Sequence, residues 1–170
     1  MKISSVRISY DAMLAALCAV LGCFSFDTGN LKLSIENLPV VFGVFCFGTP
    51  DGFLIAITGS FISQLIMYGL SATTIIWMLP LISAAAFAGI FRKKTSDFSG
   101  NKIAVPVIAS ELALLLCNTA ALYADSRIYG YYSAVYVFGS IPWRFFISAL
   151  RSFVYILILP PLLRAVRKVV

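Results

Sequence analysis

The chain has 170 residues, of which 61% are hydrophobic and only 12% are charged. Soluble domains are about half apolar and a quarter charged, so this composition excludes an ordinary soluble domain and favours a protein surrounded by lipid. The net charge of +6 does not indicate nucleic-acid binding, because the basic residues lie at the ends of apolar runs. The chain has no histidine, the commonest general base and metal ligand. We therefore expect no enzyme activity, no metal and no cofactor.

Six apolar runs follow one another, and most are near the ~20 residues that cross a bilayer as a helix. Their length and continuity favour helices over a β-barrel. The second run is short for a full crossing. The runs lie at about Tyr10–Phe26, Ile35–Phe47, Gly52–Gly69, Thr73–Phe91, Ile103–Ala124 and Ser140–Val166. The sequence thus predicts an all-α membrane protein, a single bundle of six transmembrane helices that forms one domain over residues 1–170.

Basic residues outside the runs gather at the N-terminus, in the polar segment Arg92–Lys102 and at the C-terminus. Such residues mark the cytoplasmic side of a membrane protein. An even number of spans brings all three places to one side, so we expect both termini to be cytoplasmic. The polar segment Leu31–Asn37 then forms a lid on the outer side, and Asp125–Gly139 is predicted to be an outer loop.

Small residues recur at four-residue spacing in the first run, where Ala12 pairs with Ala16 and Ala15 pairs with Ala19. Small side chains at this spacing allow another helix to approach closely, and such packing drives helix association in lipid. The pattern fits either a docking surface for a partner subunit or packing within the bundle. We expect Ala12, Ala16 and Ala19 to face away from the interior of the bundle.

Charged residues inside the runs are costly in lipid unless they are paired or hydrated. Glu111 lies in the fifth run, and Arg144 and Arg151 lie in the sixth. At the predicted depths, Arg151 reaches either Glu111 or Asn118, so it forms a structural ion pair or awaits an anionic ligand. Arg144 has no evident partner within the predicted spans, so its side chain either extends to the lipid headgroups or binds an acid group, for which it is the better candidate.

Polar and aromatic residues are concentrated in the predicted outer half of the bundle, where they indicate a ligand site. Aromatic rings suit stacking on a flat ligand, amides suit hydrogen bonding, and an acidic side chain suits an amino group. Some of the aromatic residues are also typical of an interfacial belt. The candidate ligand-binding residues are Glu36, Asn37, Gln64, Tyr68, Trp77, Asn118, Tyr123, Arg144 and Arg151.

Three stretches resemble a known family: the alanine-rich run from Ala12 to Ala19, LSIENLPVVFGVFCFGTPDGFLIAITGSFISQL at 33–65, and RSFVYILILPPLL at 151–163. Together they are similar to the substrate-binding S component of an energy-coupling factor (ECF) vitamin transporter, within its folate-type group. The resemblance implies a bacterial plasma-membrane protein that binds a vitamin on the outer face. It also implies docking on a transmembrane coupling subunit that carries two cytoplasmic ATPases. The chain itself has no phosphate-binding Gly-Lys-Ser/Thr motif, which agrees with ATP hydrolysis on another subunit.

A membrane scaffold or assembly protein of the same fold is the alternative interpretation. Such a protein needs no pocket, and therefore no convergence of Gln64, Trp77 and Arg144 on one outer cavity. The position of these three side chains distinguishes the two functions.

Overall fold

The computed structural model describes residues 5–27, 32–92 and 100–167. These residues are almost entirely helical, and the exception is a two-residue antiparallel pairing of β1 (Phe26–Asp27) with β2 (Lys32–Leu33). The helices are α1 (Ser5–Cys23), α2 (Asn37–Cys46), α3 (Thr49–Tyr68), α4 (Thr74–Phe91), α5 (Gly100–Ile128), α6 (Ala134–Phe138) and α7 (Ile141–Arg167).

Within the described residues, five helical segments are long and apolar enough to cross a membrane: α1, α3, α4, most of α5, and the segment formed by α6 and α7. The prediction of six full crossings is therefore not confirmed. The second predicted span is α2, which has ten residues. A ten-residue helix is only about 15 Å long, half the thickness of a bilayer's hydrocarbon core.

The long helices alternate in direction. Arg7 at the start of α1 contacts Asp51 at the start of α3, so these two helices run parallel. Arg92, just after α4, donates to the Phe45 carbonyl near the end of α2. Trp77 near the start of α4 contacts Asp125 near the end of α5. The bundle therefore has a basic end, marked by Arg7 and Arg92, and an opposite end near Trp77.

The last helix completes this pattern. Arg144 near the start of α7 contacts Thr119 in the second half of α5, and Arg151 further along α7 pairs with Glu111 earlier in α5. The two helices are thus antiparallel, and α7 ends at the basic end where α1 begins. With the short α2 between α1 and α3, this arrangement is compatible with both termini on one side of the membrane, and that orientation stays a prediction.

The short helix α2 occupies the centre of the bundle and contacts α1, α3, α4 and α7. Val40, Val41 and Val44 are all fully buried, so α2 is apolar on more than one face. Gly48 connects α2 to α3 with a φ of 126°, a conformation that glycine adopts without a steric penalty. Two segments can then reverse direction within about one residue.

Close packing of α1 on α3 determines which alanines are buried. A Cβ atom on Gly59 of α3 would lie 2.6 Å from Cys18 Sγ and 3.1 Å from the Ala15 carbonyl oxygen. Ala15 and Ala19 are only 5% and 4% exposed, whereas Ala12 and Ala16 are exposed. The expectation that Ala19 faces outward is therefore wrong, because α1 turns that side toward α3. The docking role of the alanines stays a prediction.

The lid and loop predictions differ from the structure in two places. Leu31 lies outside the described residues, while Lys32–Leu33 forms β2 and Asn37 already belongs to α2. α5 continues to Ile128, so Asp125 is helical and was wrongly assigned to a loop. The charged residues at 125 and 127 lower the hydropathy there, but they do not interrupt the helix.

Candidate ligand-binding site

A cavity of about 340 Å³ opens between α3, α4, α5, α7 and the segment before α2, at the end of the bundle opposite Arg7. Its walls combine hydroxyl, amide, carboxylate, guanidinium and aromatic groups with a few aliphatic side chains. The lining residues are Glu36, Ser60, Ser63, Gln64, Tyr68, Ser71, Thr73, Trp77, Pro80, Leu81, Leu114, Asn118, Leu122, Asp125, Tyr129, Tyr131 and Arg144.

The structure brings most of the sequence-predicted ligand residues together around this cavity. Six of the nine line it: Glu36, Gln64, Tyr68, Trp77, Asn118 and Arg144. The other three lie elsewhere. Asn37 and Arg151 join a buried cluster below the cavity, and the half-exposed Tyr123 packs edge-on against the Tyr132 ring.

The α3 wall carries a polar stripe of helical spacing. Ser60, Ser63 and Gln64 are all buried, and Tyr68 follows one turn after Gln64. The Ser63 hydroxyl donates to the Ser60 carbonyl at 3.0 Å, and the Ser60 hydroxyl donates to the Ala56 carbonyl. The serine donors are therefore used within the helix, and the amide of Gln64 is the group on this wall best suited to contact a ligand.

Asp125 links the α4 wall to the segment after α5. The Trp77 indole Nε1 donates to Asp125 Oδ1 at 3.1 Å, and the Tyr131 hydroxyl donates to Asp125 Oδ2. Burial of the Tyr131 hydroxyl, together with its bond to this carboxylate, raises the pKa of Tyr131 above its ordinary value. The phenol therefore remains a donor at neutral pH. These two bonds fix the orientation of the indole and of the carboxylate.

Arg144 enters the cavity from the first turn of α7. Its Nη1 lies 3.3 Å from Thr119 Oγ1, which is the neighbour of Asn118 on α5. The Thr119 hydroxyl itself donates to the Leu115 carbonyl at 2.9 Å. A guanidinium presents five N–H donors in a planar fork, a geometry that matches an acid group.

Glu36 closes the cavity on the side of α1. Its Oε1 accepts a hydrogen bond from the Ser34 hydroxyl at 2.9 Å. A Cβ atom on Gly22 would lie 2.6 Å from Glu36 Oε2 and 2.9 Å from Ser63 Cβ. The glycine near the end of α1 therefore makes room for the carboxylate between α1 and α3.

A buried ion pair lies deeper in the bundle than the cavity. Glu111 is fully buried and pairs with Arg151, with 3.0 Å between Oε2 and Nη2. Asn37 Nδ2 donates to Glu111 Oε1 at 2.8 Å, and Arg151 Nη1 donates to the Ser34 carbonyl at 3.1 Å. Of the two partners that the sequence left open for Arg151, the structure shows Glu111.

Sequence reasoning missed several lining residues, of which Asp125 is the most important. Asp125 follows Asn118 by seven residues, a spacing that places both on one face of a helix. That signal was present, but the predicted span ended at Ala124. Within the described ranges, no group of three or more cysteine, aspartate or glutamate side chains is close enough to hold a metal ion.

A family model described as the substrate-specific component of ECF transporters matches residues 7–159. The chain belongs to this family. ECF substrate-specific components are multi-pass membrane proteins that bind small molecules and associate with a module made of a coupling subunit and ATPases. They are transporter subunits rather than enzymes.

The fold agrees with this assignment. A solved structure described as the S component of a bacterial ECF transporter superposes with a TM-score of 0.75 over 95% of this chain and 97% of that chain. The two sequences are 21% identical, so the likeness shows a shared fold and leaves the ligand open. No curated protein sequence matches the chain.

Proposed function

We propose that this substrate-specific component binds a vitamin, either folate or a related small heteroaromatic compound with an acid group, in the 340 Å³ cavity. The observation that carries the proposal is that Gln64, Trp77 and Arg144 line one cavity, although they belong to three different helices. The bound vitamin is then imported by ATP hydrolysis on the partner module, which consists of one transmembrane coupling subunit and two cytoplasmic ATPases.

The size and composition of the cavity suit such a ligand. Small-molecule sites enclose roughly 300–1,000 Å³ and combine apolar walls with a few polar groups that fix orientation. A volume of about 340 Å³ lies at the lower end of that range. Leu81, Leu114 and Leu122 supply the apolar part of the wall. A compact ring system with one or two polar substituents fits this space.

Each wall contributes a different kind of contact in this proposal. Trp77 and Tyr68 stack on the ring of the ligand, and the amides of Gln64 and Asn118 donate to or accept from its edge. Arg144 binds the acid group through its planar fork. Glu36 binds an amino group on the ligand.

The orientation follows from the basic residues. Arg7 and Arg92 lie at one end of the bundle and the cavity opens at the other. Because basic residues mark the cytoplasmic side, we place the cavity at the outer face of a bacterial plasma membrane and both termini in the cytoplasm. Residues 1–170 then act as one substrate-binding domain. A scaffold protein of the same fold would have no use for a polar cavity.

Native mass spectrometry of the purified chain tests the proposal, because a bound vitamin is expected to be released on activation. Equilibrium binding of that compound is then measured for Arg144→Ala and Gln64→Ala. Loss of a hydrogen bond to a charged group costs about 1.5–3 kcal/mol, or roughly ten- to a hundredfold in affinity. Thr58→Ala is the matched control, because Thr58 is exposed on α3 and does not line the cavity. Unchanged affinity in both cavity variants would move the site elsewhere.

A further inference from the structure

The cavity contains more acidic than basic side chains, unlike a site that binds only an acid. Its described lining residues include one guanidinium, Arg144, and two carboxylates, Glu36 and Asp125. Asp125 is only 8% exposed. Among the residues that the structure describes, no lysine or arginine pairs with Asp125, and its side-chain partners are the neutral donors Trp77 and Tyr131.

A buried carboxylate without a cation is costly, and neutral hydrogen bonds compensate only part of that cost. A carboxylate has about four acceptor positions, and the bonds from Trp77 and Tyr131 use two of them. Because these bonds hold the carboxylate in a fixed orientation at the cavity wall, the remaining positions are available to a donor from a ligand. The arrangement resembles a preformed receptor for a cationic or amino-bearing group.

The positive and negative groups of the cavity lie at different levels. Arg144 contacts Thr119, which precedes Asp125 by six residues on α5. At a rise of ~1.5 Å per residue, six residues separate the two levels by about 9 Å along the helix axis. This separation is too large for a direct ion pair between Arg144 and Asp125, so these two residues present opposite charges to a ligand at two places.

We propose that Asp125 is a specificity-determining residue that binds a basic or amino-substituted edge of the ligand's heteroaromatic ring. This inference rests on the proposed function and narrows its ligand class. The ligand carries an N–H donor group at the Asp125 end and an acidic or strongly polar acceptor group at the Arg144 end. A ring compound whose only charged groups are acids leaves Asp125 uncompensated.

Two pairs of compounds test this assignment on the purified full chain by calorimetry. Folic acid is compared with its 2-deamino-2-methyl analogue, and thiamine monophosphate with oxythiamine monophosphate, in which an oxygen replaces the pyrimidine amino group; both pairs carry an acid group. In whichever pair binds, the amino compound is expected to bind at least about tenfold more tightly, the effect of one charged hydrogen bond. Asp125→Asn is expected to reduce this ratio to about threefold or less, and Asp125→Glu to preserve more of it.

Trp77→Phe separates ligand recognition from a purely structural role of Asp125. This variant removes the indole donor but keeps the carboxylate and its bond from Tyr131, so it is expected to weaken both members of a pair and to keep a larger ratio between them than Asp125→Asn does. If Trp77→Phe removes the ratio as Asp125→Asn does, then Asp125 acts only by holding the indole, and the inference is wrong. If Asp125→Asn does not fold, the wild-type chain alone decides: equal affinity for both members of a pair contradicts the inference.

The remaining outcomes separate this inference from the proposed function. If a pair binds and Asp125→Asn leaves the ratio of its two affinities unchanged, the proposed role of Asp125 is overturned, while the proposed vitamin site stands. If none of the four compounds binds, the chemistry of a co-purified molecule decides. A molecule without a basic or amino nitrogen contradicts the inference, and a molecule that has such a nitrogen supports it. If no compound binds and none co-purifies, the proposed function itself is overturned.

Discussion

Arg151 and Glu111 form an ion pair in the interior of the bundle, with 3.0 Å between Nη2 and Oε2. The same arginine donates to the carbonyl of Ser34, and the Ser34 hydroxyl donates to Glu36 at the cavity. Glu111 also accepts a hydrogen bond from Asn37 at the start of α2. One ion pair therefore connects α5 and α7 to the segment that closes the cavity.

Breaking this pair is expected to destabilise the fold strongly. Glu111→Gln leaves the guanidinium of Arg151 without its counter-charge, and loss of one partner of a buried pair costs about 3–5 kcal/mol. The double variant Glu111→Gln/Arg151→Met removes both charges and is expected to be more stable than Glu111→Gln alone. Thermal unfolding in detergent measures this order. If the double variant loses as much stability as Glu111→Gln and Arg151→Met lose together, the two residues do not stabilise the fold as a pair.

The sequence was sufficient to predict a helical bundle and the approximate position of its polar cavity. Both follow from counting: apolar runs give the helices, and residue number along a helix gives depth. Rotation about a helix axis does not follow from counting alone. Ala19 was expected to face outward, but its orientation depends on the contact between α1 and Gly59, which is distant in sequence.

Topology is tested by the accessibility of single cysteines. Ser96 lies in the basic segment outside the described residues, and Ser133 immediately precedes α6. Cysteines placed at these two positions, in a chain whose four native cysteines are replaced, are expected to react from opposite sides of the membrane. An impermeant thiol reagent applied to whole cells should label position 133 only. Labelling of both positions under those conditions would exclude the proposed orientation.

The exposed face of α1 is the predicted docking surface for the coupling subunit. Ala16→Trp adds a large ring on the exposed side, so it is expected to leave ligand binding intact and to abolish uptake with the partner module. Ala15→Trp is the matched control, because Ala15 is buried and its carbonyl lies against Gly59. That variant is expected to lose folding and binding together. If Ala16→Trp also fails to fold, the alanines serve only internal packing.

The sequence left a residue's role open where its partner decides that role. Arg144 and Arg151 are both arginines inside one apolar run, seven residues apart, and their sequence environments are alike. The structure places Arg144 at the cavity and pairs Arg151 with Glu111. Depth alone left Arg151 two possible partners, and only the packing of α5 on α7 selects between them. Asp125 was missed for a different reason, because the end of a hydropathy run was taken as the end of a helix.

A second ion pair fastens the basic end of the bundle. Arg7 of α1 donates through Nε and Nη2 to both carboxylate oxygens of Asp51 on α3, and Nη2 also donates to the Phe47 carbonyl at 3.0 Å. Arg92 donates to the Phe45 carbonyl at 3.0 Å. Two arginines thus bind carbonyl groups at the C-terminal end of α2, where the helix dipole favours positive charge.

The two partners of the Arg7–Asp51 pair are expected to differ in the cost of their removal. The side chain of Arg7 is 20% exposed and that of Asp51 is 6% exposed. When Asp51 is replaced by asparagine, the long side chain of Arg7 can turn toward headgroups or water, so the free energy of unfolding should fall by about 1 kcal/mol. When Arg7 is replaced by alanine, the carboxylate of Asp51 remains buried without its ion-pair partner, and the loss should approach about 3 kcal/mol. Chemical unfolding of Arg7→Ala, Asp51→Asn and the double variant measures these values.

The double variant should be more stable than Arg7→Ala alone, because it no longer buries an unpaired carboxylate. Equal losses for the two single variants would mean that the buried charge does not determine the cost and that Arg7 acts mainly through its bond to Phe47.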